Sequence, residues 1–292
     1  MTNHDIPAAS PGARLRHLLS AGELIVAPGI FDGLTAHLVR RMGFPAGYLT
    51  GAGVAASGFG LPDLGLVGMA EMVDRVTMAA GVLGTVPLIA DADTGYGPPP
   101  SVARTVRAYE RAGVAAVQLE DQAFPKRCGH PPGKELVSTQ DYLARLGAAL
   151  DARTDALIVA RTDALAVLGV SAAIDRGNAY AQAGADIIFV EAPRTVEEIT
   201  RVAREIAAPK LINIVAGGAT PELDQPTLRD LGYSIAIYPT AALLAATDAA
   251  ITALRTLGGS TAVPLPTPAM ADFFRLVGLD DWSAISEKWP AQ

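Results

Sequence analysis

The sequence is short of the residues on which several classes of protein depend. One cysteine in 292 residues excludes an intramolecular disulfide and fits a reducing compartment. With only four histidines, a Cys and one nearby His do not make a zinc site. Basic residues are outnumbered 23 to 30, for a net charge of -7, which argues against a nucleic-acid surface because that needs a clustered basic face. An anionic small molecule stays open as a substrate, since a metal and a few local cations decide that. Met1 to Pro11 carries Asp5 and two prolines without an apolar core, so no signal peptide is expected. No apolar run of membrane-spanning length is expected either, and a cytoplasmic protein follows. A Gly-rich dinucleotide fingerprint is also missing: Pro28-Gly29-Ile30-Phe31-Asp32-Gly33, after the first strand, has the wrong spacing.

What is present is alternation. Half of the residues are hydrophobic, enough for a large core. Short apolar runs at Leu24-Ala27, Ala46-Thr50, Pro87-Ala90, Ala115-Leu119, Ala156-Ala160, Asp186-Val190, Lys210-Ile214 and Ser234-Tyr238 read as strands. Helical segments lie near Leu34-Met42, Met69-Leu83, Val102-Ala112, Thr139-Asp151, Ala172-Ala183, Val196-Ile206, Gln225-Leu231 and Ala241-Leu257, several closed by a glycine. Strands apolar throughout suit a parallel sheet covered on its faces. Eight such units predict an α/β fold, a (β/α)8 TIM-type barrel over residues 13–258, after a flexible lead-in over 1–12. A doubly wound open sheet is the competing architecture. Residues 259–292 form a linker, with prolines at 264, 266 and 268, and a helical tail carrying Trp282 and Trp289. Its apolar surface must be buried on the barrel or on a neighbouring subunit.

In a barrel, reactive groups belong at the C-terminal ends of the strands. Polar residues fall there repeatedly: Tyr48-Leu49-Thr50-Gly51-Ala52, Asp91-Ala92-Asp93, Glu120-Asp121, Arg161-Thr162-Asp163, Glu191, Asn213, and Pro239 at the last. Asp91, Asp93 and Glu120, with Asp63 from the Gly60-Leu61-Pro62-Asp63 loop, make a cluster of hard oxygens whose mutual repulsion a divalent cation relieves. Mg2+ is favoured, with Mn2+ as a substitute. The blander alternative is that these acids cap helices or pair with Arg104 or Arg161.

After the fourth strand comes Lys126-Arg127-Cys128-Gly129-His130. Three basic or titratable side chains around a thiol favour the thiolate and keep it able to trade protons near neutral pH. A core cysteine, the alternative, would not be bracketed in this way. Gly129 and Gly133 flank two prolines in a polar segment, which suits a lid.

Lys-Arg-Cys-Gly-His after a Glu-Asp-Gln strand end resembles the active-site loop of the isocitrate lyase and phosphoenolpyruvate mutase superfamily. The likeness runs from about Leu24 to about Thr247 and is greatest to its 2-methylisocitrate lyase, 2,3-dimethylmalate lyase and carboxyphosphonoenolpyruvate phosphonomutase group. It implies a Mg2+-dependent lyase that cleaves the C2–C3 bond of a 2-hydroxy acid, releasing a 2-oxo acid such as pyruvate and a carboxylate such as succinate or propionate. Asp91 is then the direct metal ligand, with Asp63, Asp93 and Glu120 acting through water. Tyr48 is the base for the hydroxyl and Cys128 the proton donor to the carbanion, beside Lys126, His130 and Glu191. Thr50, Gly51, Ala52, Arg127, Gly129, Arg161, Asn213 and Pro239 bind substrate, Arg161 by gripping a carboxylate with two prongs. A homotetramer that exchanges C-terminal helices is implied as well.

Two departures bear on the substrate. Ala216 stands where such lyases typically carry an acidic residue, so the distal group is expected to be apolar or smaller than in a tricarboxylic acid. Pro239 is lyase-like, where oxaloacetate hydrolases of the family tend to carry Ser. Phosphoenolpyruvate mutases and phosphonopyruvate hydrolases carry Asn where this chain has Cys128. A phosphonomutase, which also keeps the Cys loop, and a non-catalytic barrel that binds 2-oxo acids remain the competing functions.

Overall fold

The computed structural model describes residues 9–124, 126, 134–258, 265 and 270–289. In chain order the elements are α1 (Pro11–Ser20), β1 (Ile25–Ile30), α2 (Gly33–Arg41), β2 (Gly47–Leu49), α3 (Gly51–Phe59), α4 (Met69–Leu83), β3 (Leu88–Asp91), α5 (Pro99–Arg111) and β4 (Ala116–Glu120). Then follow α6 (Thr139–Ala152), β5 (Leu157–Thr162), α7 (Ala164–Leu168), α8 (Val170–Gln182), β6 (Ile187–Val190), α9 (Val196–Glu205), β7 (Lys210–Asn213), α10 (Gln225–Asp230), β8 (Ile235–Tyr238), α11 (Ala241–Gly258), α12 (Met270–Phe273), a 3-10 turn (Phe274–Val277) and α13 (Leu279–Lys288).

All eight strands pair in parallel with their sequence neighbours, and β8 returns to β1, closing the barrel. Side chains alternate across each strand, so one parity fills the interior and the other meets the helices. The inner set starts apolar and ends polar. Ala46 gives way to Tyr48, Ile89 to Asp91, Ala116 to Gln118 and Glu120, Val159 to Arg161, Phe189 to Glu191, and Leu211 to Asn213. The outer set, among it Val117, Ile158, Ala160, Ile188 and Ile212, packs under the helices as one continuous cluster. Hence the polar ends of β2 to β7 open at the same end of the barrel, while β1 and β8 stay apolar inside.

The other end is closed by α1. Ser10 caps it, and Pro11 begins it, where a missing N–H costs nothing. Leu15 is fully buried against Ile25, Ala46, Ala115 and Leu157 at the strand entrances, worth about 2 kcal/mol, and Leu18 and Leu19 pack beside it. Asp155, just before β5, accepts from Ser10 Oγ at 2.6 Å and from Gly12 N at 2.7 Å. The helix therefore starts inside the stretch expected to be a flexible lead-in, because the barrel floor needs an apolar cover.

Between β2 and α4 the chain forms a further helix, α3, that the glycine content of Gly51-Ala52-Gly53 hides. The helix Ala241–Gly258 is, among the described residues, the one long and apolar enough by length and composition to cross a membrane, against the expectation of none. It is the eighth barrel helix and packs against β1, and its alanine content raises its hydropathy. In the tail, Phe273 and Phe274 are buried among Phe31, Ala56, Val215 and Leu243 at the barrel's own rim, while Leu276, Ile285 and Trp289 stay exposed. The proposed lid, with Arg127, Cys128, Gly129 and His130, and most of the proline linker lie outside the described residues.

Candidate active site

Three interlocking groups occupy the mouth. The first joins β2, β3 and β4. Tyr48 donates from its hydroxyl to Gln118 Oε1 at 3.1 Å, and Gln118 Nε2 donates to Asp91 Oδ1 at 3.2 Å. Burial, and then the charge of Asp91, push the Tyr48 hydroxyl well above its ordinary pKa, so it is a hydrogen-bond donor in this state. Asp91 also accepts from Asp93 N at 3.1 Å, while its other oxygen faces α3: a β-carbon added to Gly51 would lie 2.8 Å from Asp91 Oδ2. Thr50 caps α3, accepting from Gly53 N at 3.2 Å. Gly51 and Ala52 are thus the first two residues of a helix, whose amides have no partner within it and carry the positive end of its dipole.

The second group is built around Lys126. Its buried ammonium pairs with Asp63 Oδ1 and lies 2.8 Å from Asp93 Oδ1. Burial pulls the amine's pKa down, but Asp63, Asp93, Glu120 and Asp91 outweigh it, and the net shift is upward. Burial raises Asp93 to about 6 in spite of Lys126. Asp93 and Tyr96 take positive φ angles of 48° and 60° after β3, as does Ala192 after Glu191 at 54°. Strain of this kind at three non-glycine residues, all at the rim, marks a backbone set by the site rather than by local preference.

The third group holds Arg161. Its guanidinium makes two bonds to Asp163, lies 3.3 Å from Glu120 Oε2 and 3.7 Å from Glu191 Oε2, and stacks 5.2 Å from the Phe189 ring centre. Lys134 donates at 2.6 Å to Asp163 Oδ1, the oxygen that also accepts from Arg161 Nη2. Burial would raise Asp163, but Arg161 and Lys134 hold it down at about 2. For Glu120 burial prevails over Arg161, and its pKa lies well above the usual carboxylate range.

Asp121, adjacent to Glu120, points the other way. It is fully buried under the helices, accepting from Thr162 Oγ1, Asp163 N, Arg176 and Tyr180, so of the two strand-end carboxylates only Glu120 belongs to the mouth. The helix caps fall on Ser10, Asp32, Thr50, Ser138, Thr195 and Asp224 and not on the acidic cluster. Asn213 and Pro239 end β7 and β8 as expected. Gly29 lies against Pro239 so closely that any β-carbon there would collide with the proline carbonyl.

Sequence reasoning assigned no role to Gln118, Lys134, Asp163 or Thr240. Gln118 had a usable signal, since it lies two residues before Glu120 and shares its face.

Do these residues fit a divalent cation? Glu120 Oε1 is buried without a hydrogen-bond partner, as are Glu191 Oε2, Asn213 Oδ1 and Thr240 Oγ1. Among the described residues six carboxylates (63, 91, 93, 120, 163 and 191) face three cations, Lys126, Lys134 and Arg161. A hard-oxygen donor set with excess negative charge suits Mg2+. No ready-made group of three metal-binding side chains stands among the described residues, in keeping with the Lys126 ammonium lying between Asp63 and Asp93.

A closed parallel barrel whose C-terminal rim gathers carboxylates, an arginine and unpartnered oxygens has the architecture of a barrel enzyme acting on an anion. The family described as phosphoenolpyruvate phosphomutase matches residues 15–257, and the chain belongs to it, within the phosphoenolpyruvate mutase/isocitrate lyase superfamily. It is 46% identical over 273 residues to the 2,3-dimethylmalate lyase of Eubacterium barkeri, covering 92% of this chain and 94% of that one. To the 2-methylisocitrate lyase of Aeropyrum pernix it is 42% identical, covering 94% and 90%. Among solved structures, oxaloacetate acetylhydrolase with 3,3-difluorooxalacetate superposes with a TM-score of 0.84 at 39% identity, covering 97% and 98%. Phosphonopyruvate hydrolase, solved with oxalate and Mg2+, gives 0.75 at 29% identity, covering 97% and 100%.

Proposed function

We propose that the protein is a carbon–carbon lyase that cleaves a 2-alkylmalate-like or 2-methylisocitrate-like 2-hydroxy acid into a 2-oxo acid, pyruvate foremost, and a second carboxylate. The observation that carries this reading is the convergence of Tyr48, Asp91, Glu120, Arg161, Glu191 and Asn213, from six strands, on one mouth with unpartnered buried oxygens. The 2,3-dimethylmalate lyase and 2-methylisocitrate lyase relatives, at 46% and 42% identity, support it over a phosphorylmutase relative that covers 97% of the chain at 36% identity.

Asp91, with Asp63, Asp93 and Glu120, would hold Mg2+ (or Mn2+), which supplies a Lewis acid for a 2-hydroxy or 2-oxo carboxylate. Tyr48 lies where it would hold the substrate hydroxyl and, as a phenolate whose own proton has passed to solvent, would take that hydroxyl's proton; burial and the charge of Asp91 keep it a phenol without a bound cation. As that proton leaves, the C2–C3 electron pair passes to C3, C2 becomes a carbonyl, and the carbanion spreads into the adjacent carboxylate. Arg161 and the amides at the start of α3 meet the carboxylates. Cys128, with Arg127 and His130 beside it in sequence, would return a proton to C3, and Gly129 is expected to contribute to substrate binding. Atoms and charge balance without a further reactant.

Ala216, in place of an acid, favours a distal alkyl group over a third carboxylate. A panel of branched 2-hydroxy di- and tricarboxylates, coupled to 2-oxo acid detection with Mg2+ and then EDTA, tests this reading. Release from dialkylmalates that EDTA abolishes is expected. No release from any member, or a phosphinate product with a new P–C bond in phosphorus NMR of a carboxyphosphonate enol ester, overturns it. Cys128→Ser should keep the fold and lose turnover at least about a hundredfold.

The exposed Leu254, Leu257, Leu276, Ile285 and Trp289 support self-association as a homotetramer with exchanged C-terminal helices. Phe273 and Phe274 would then make on a neighbour the contacts they make here in cis. Light scattering on Trp289→Glu, expected to yield smaller species, checks the assembly. A cytoplasmic location accords with the single cysteine.

A further inference from the structure

Lys126 stands two residues before the thiol on which the reaction depends, yet its side chain points into the acidic cluster. It is 5% exposed, and its ammonium is shared by Asp63 and Asp93, two of the carboxylates that would surround a cation. The loop that carries Asp63 is folded over its stem: Gly65, at a φ of 70°, leaves only 3.4 Å between the position of an added β-carbon and Lys126 Cγ. Beside this pair, a cavity lined by Gly51, Asp63, Asp93 and Tyr96 has a volume of about 10 Å³. That is scarcely room for one water, whereas Mg2+ keeps several of its waters when it binds. The gap between Asp63 and Asp93 is therefore filled by the chain's own cation, and the space beside that pair is too small for a hydrated ion.

Resting on the divalent-cation reading above, we propose that Lys126 is the resident counter-cation of the mouth: its ammonium holds the place between Asp63 and Asp93 that a hydrated divalent cation takes, so the two bind in competition. Occupation by the ion releases Lys126 from its carboxylates, and loss of the ion lets it return. The residue keeps four mutually repelling acids folded in the absence of metal. Because whatever favours one occupant disfavours the other, the coupling is reciprocal.

The test measures Mn2+ binding by the free-ion EPR signal, without reference to turnover, on wild type, Lys126→Met and Lys126→Arg. Met keeps the stem and removes the charge, and its dissociation constant should be at least about tenfold lower than wild type. Arg keeps the charge and should stay within about threefold of wild type. Metal-free Lys126→Met should melt below metal-free wild type, and saturating Mn2+ should close that gap. In wild type alone, acylation of Lys126 followed by peptide mass spectrometry should rise severalfold when Mn2+ is added, an arm that holds even if the variants fail to fold. Mn2+ binding by wild type with equal or weaker binding by Lys126→Met, or unchanged acylation in saturating Mn2+, would overturn the competition alone. Absence of Mn2+ binding in all three proteins would overturn the divalent-cation reading itself.

Discussion

Arg161 and Asp163 grip each other at the end of β5, Nε to Oδ2 at 2.9 Å and Nη2 to Oδ1 at 3.1 Å. A carboxylate two residues away fixes the plane of the guanidinium, leaving Nη1 on the side of Glu191. Arg161→Lys replaces that fork by a point charge. The expected outcome is a fall of at least about a hundredfold in kcat/KM together with a lower Tm, because a lysine ammonium cannot reach Asp163, Glu120 and Glu191 at once and leaves part of that buried charge unmatched. Steady-state kinetics and a thermal melt read the two effects.

Gln118 links Tyr48 to Asp91, accepting from one and donating to the other. Gln118→Leu leaves a buried phenol and a carboxylate oxygen short of a partner, at a cost of about 1–3 kcal/mol by denaturant unfolding. Turnover should fall with it, since Tyr48 is no longer held. Gln118→Glu still accepts from Tyr48 but repels Asp91, so it should show a weaker loss with excess metal than without.

Gly51→Ala offers a change that separates site from stability. Alanine suits a helix start better than glycine, so Tm should hold or rise. Its β-carbon, 2.8 Å from Asp91 Oδ2, should displace that carboxylate and lower activity by about a hundredfold, with weaker Mn2+ binding as the independent check.

Far from the mouth, the Glu110 carboxylate collects the backbone N–H groups of Thr154, Asp155 and Ala156 at 2.7–3.1 Å, fastening α5 to the entrance of β5. Burial is the largest single influence and raises its pKa, but the three amides and the Thr154 hydroxyl together outweigh it, and the folded value lies below the ordinary 4.5. A depressed carboxylate stabilises the fold above its unfolded pKa, and that stability disappears as pH falls through the folded value. Glu110→Gln should therefore cost about 1–2 kcal/mol at pH 7. It should also flatten the decline of Tm between pH 5 and 3 relative to wild type, as a pH series of melts would show.

The barrel was legible because its strands are apolar on both faces and several helices close on glycine; seven of the eight expected strands lie within two residues of the observed ones, and β1 runs three residues past its expected end. The rim was legible in the same way, since polar residues end otherwise apolar strands. What the sequence hid came from distance along the chain or from composition. The pairing of Lys126 with Asp63 spans 63 residues, and no local pattern encodes it. The helix α3 is rich in glycine and alanine, with little amphipathic pattern, and is held by its Thr50 cap and its contacts rather than by propensity. The choice of Glu120 over Asp121 for the cluster agrees with the parity of β4, but the bonds of Asp121 to Tyr180 and Arg176 had no signal in the sequence.

With its floor covered by α1 and Leu15 and its interior filled by side chains, the barrel offers its site at the C-terminal rim. Two products made from one substrate must leave by the way it came in, and the fragment seated lower stays until the one above it has gone. Product inhibition patterns should therefore be ordered, with the deeper fragment competitive against substrate and the shallower one not.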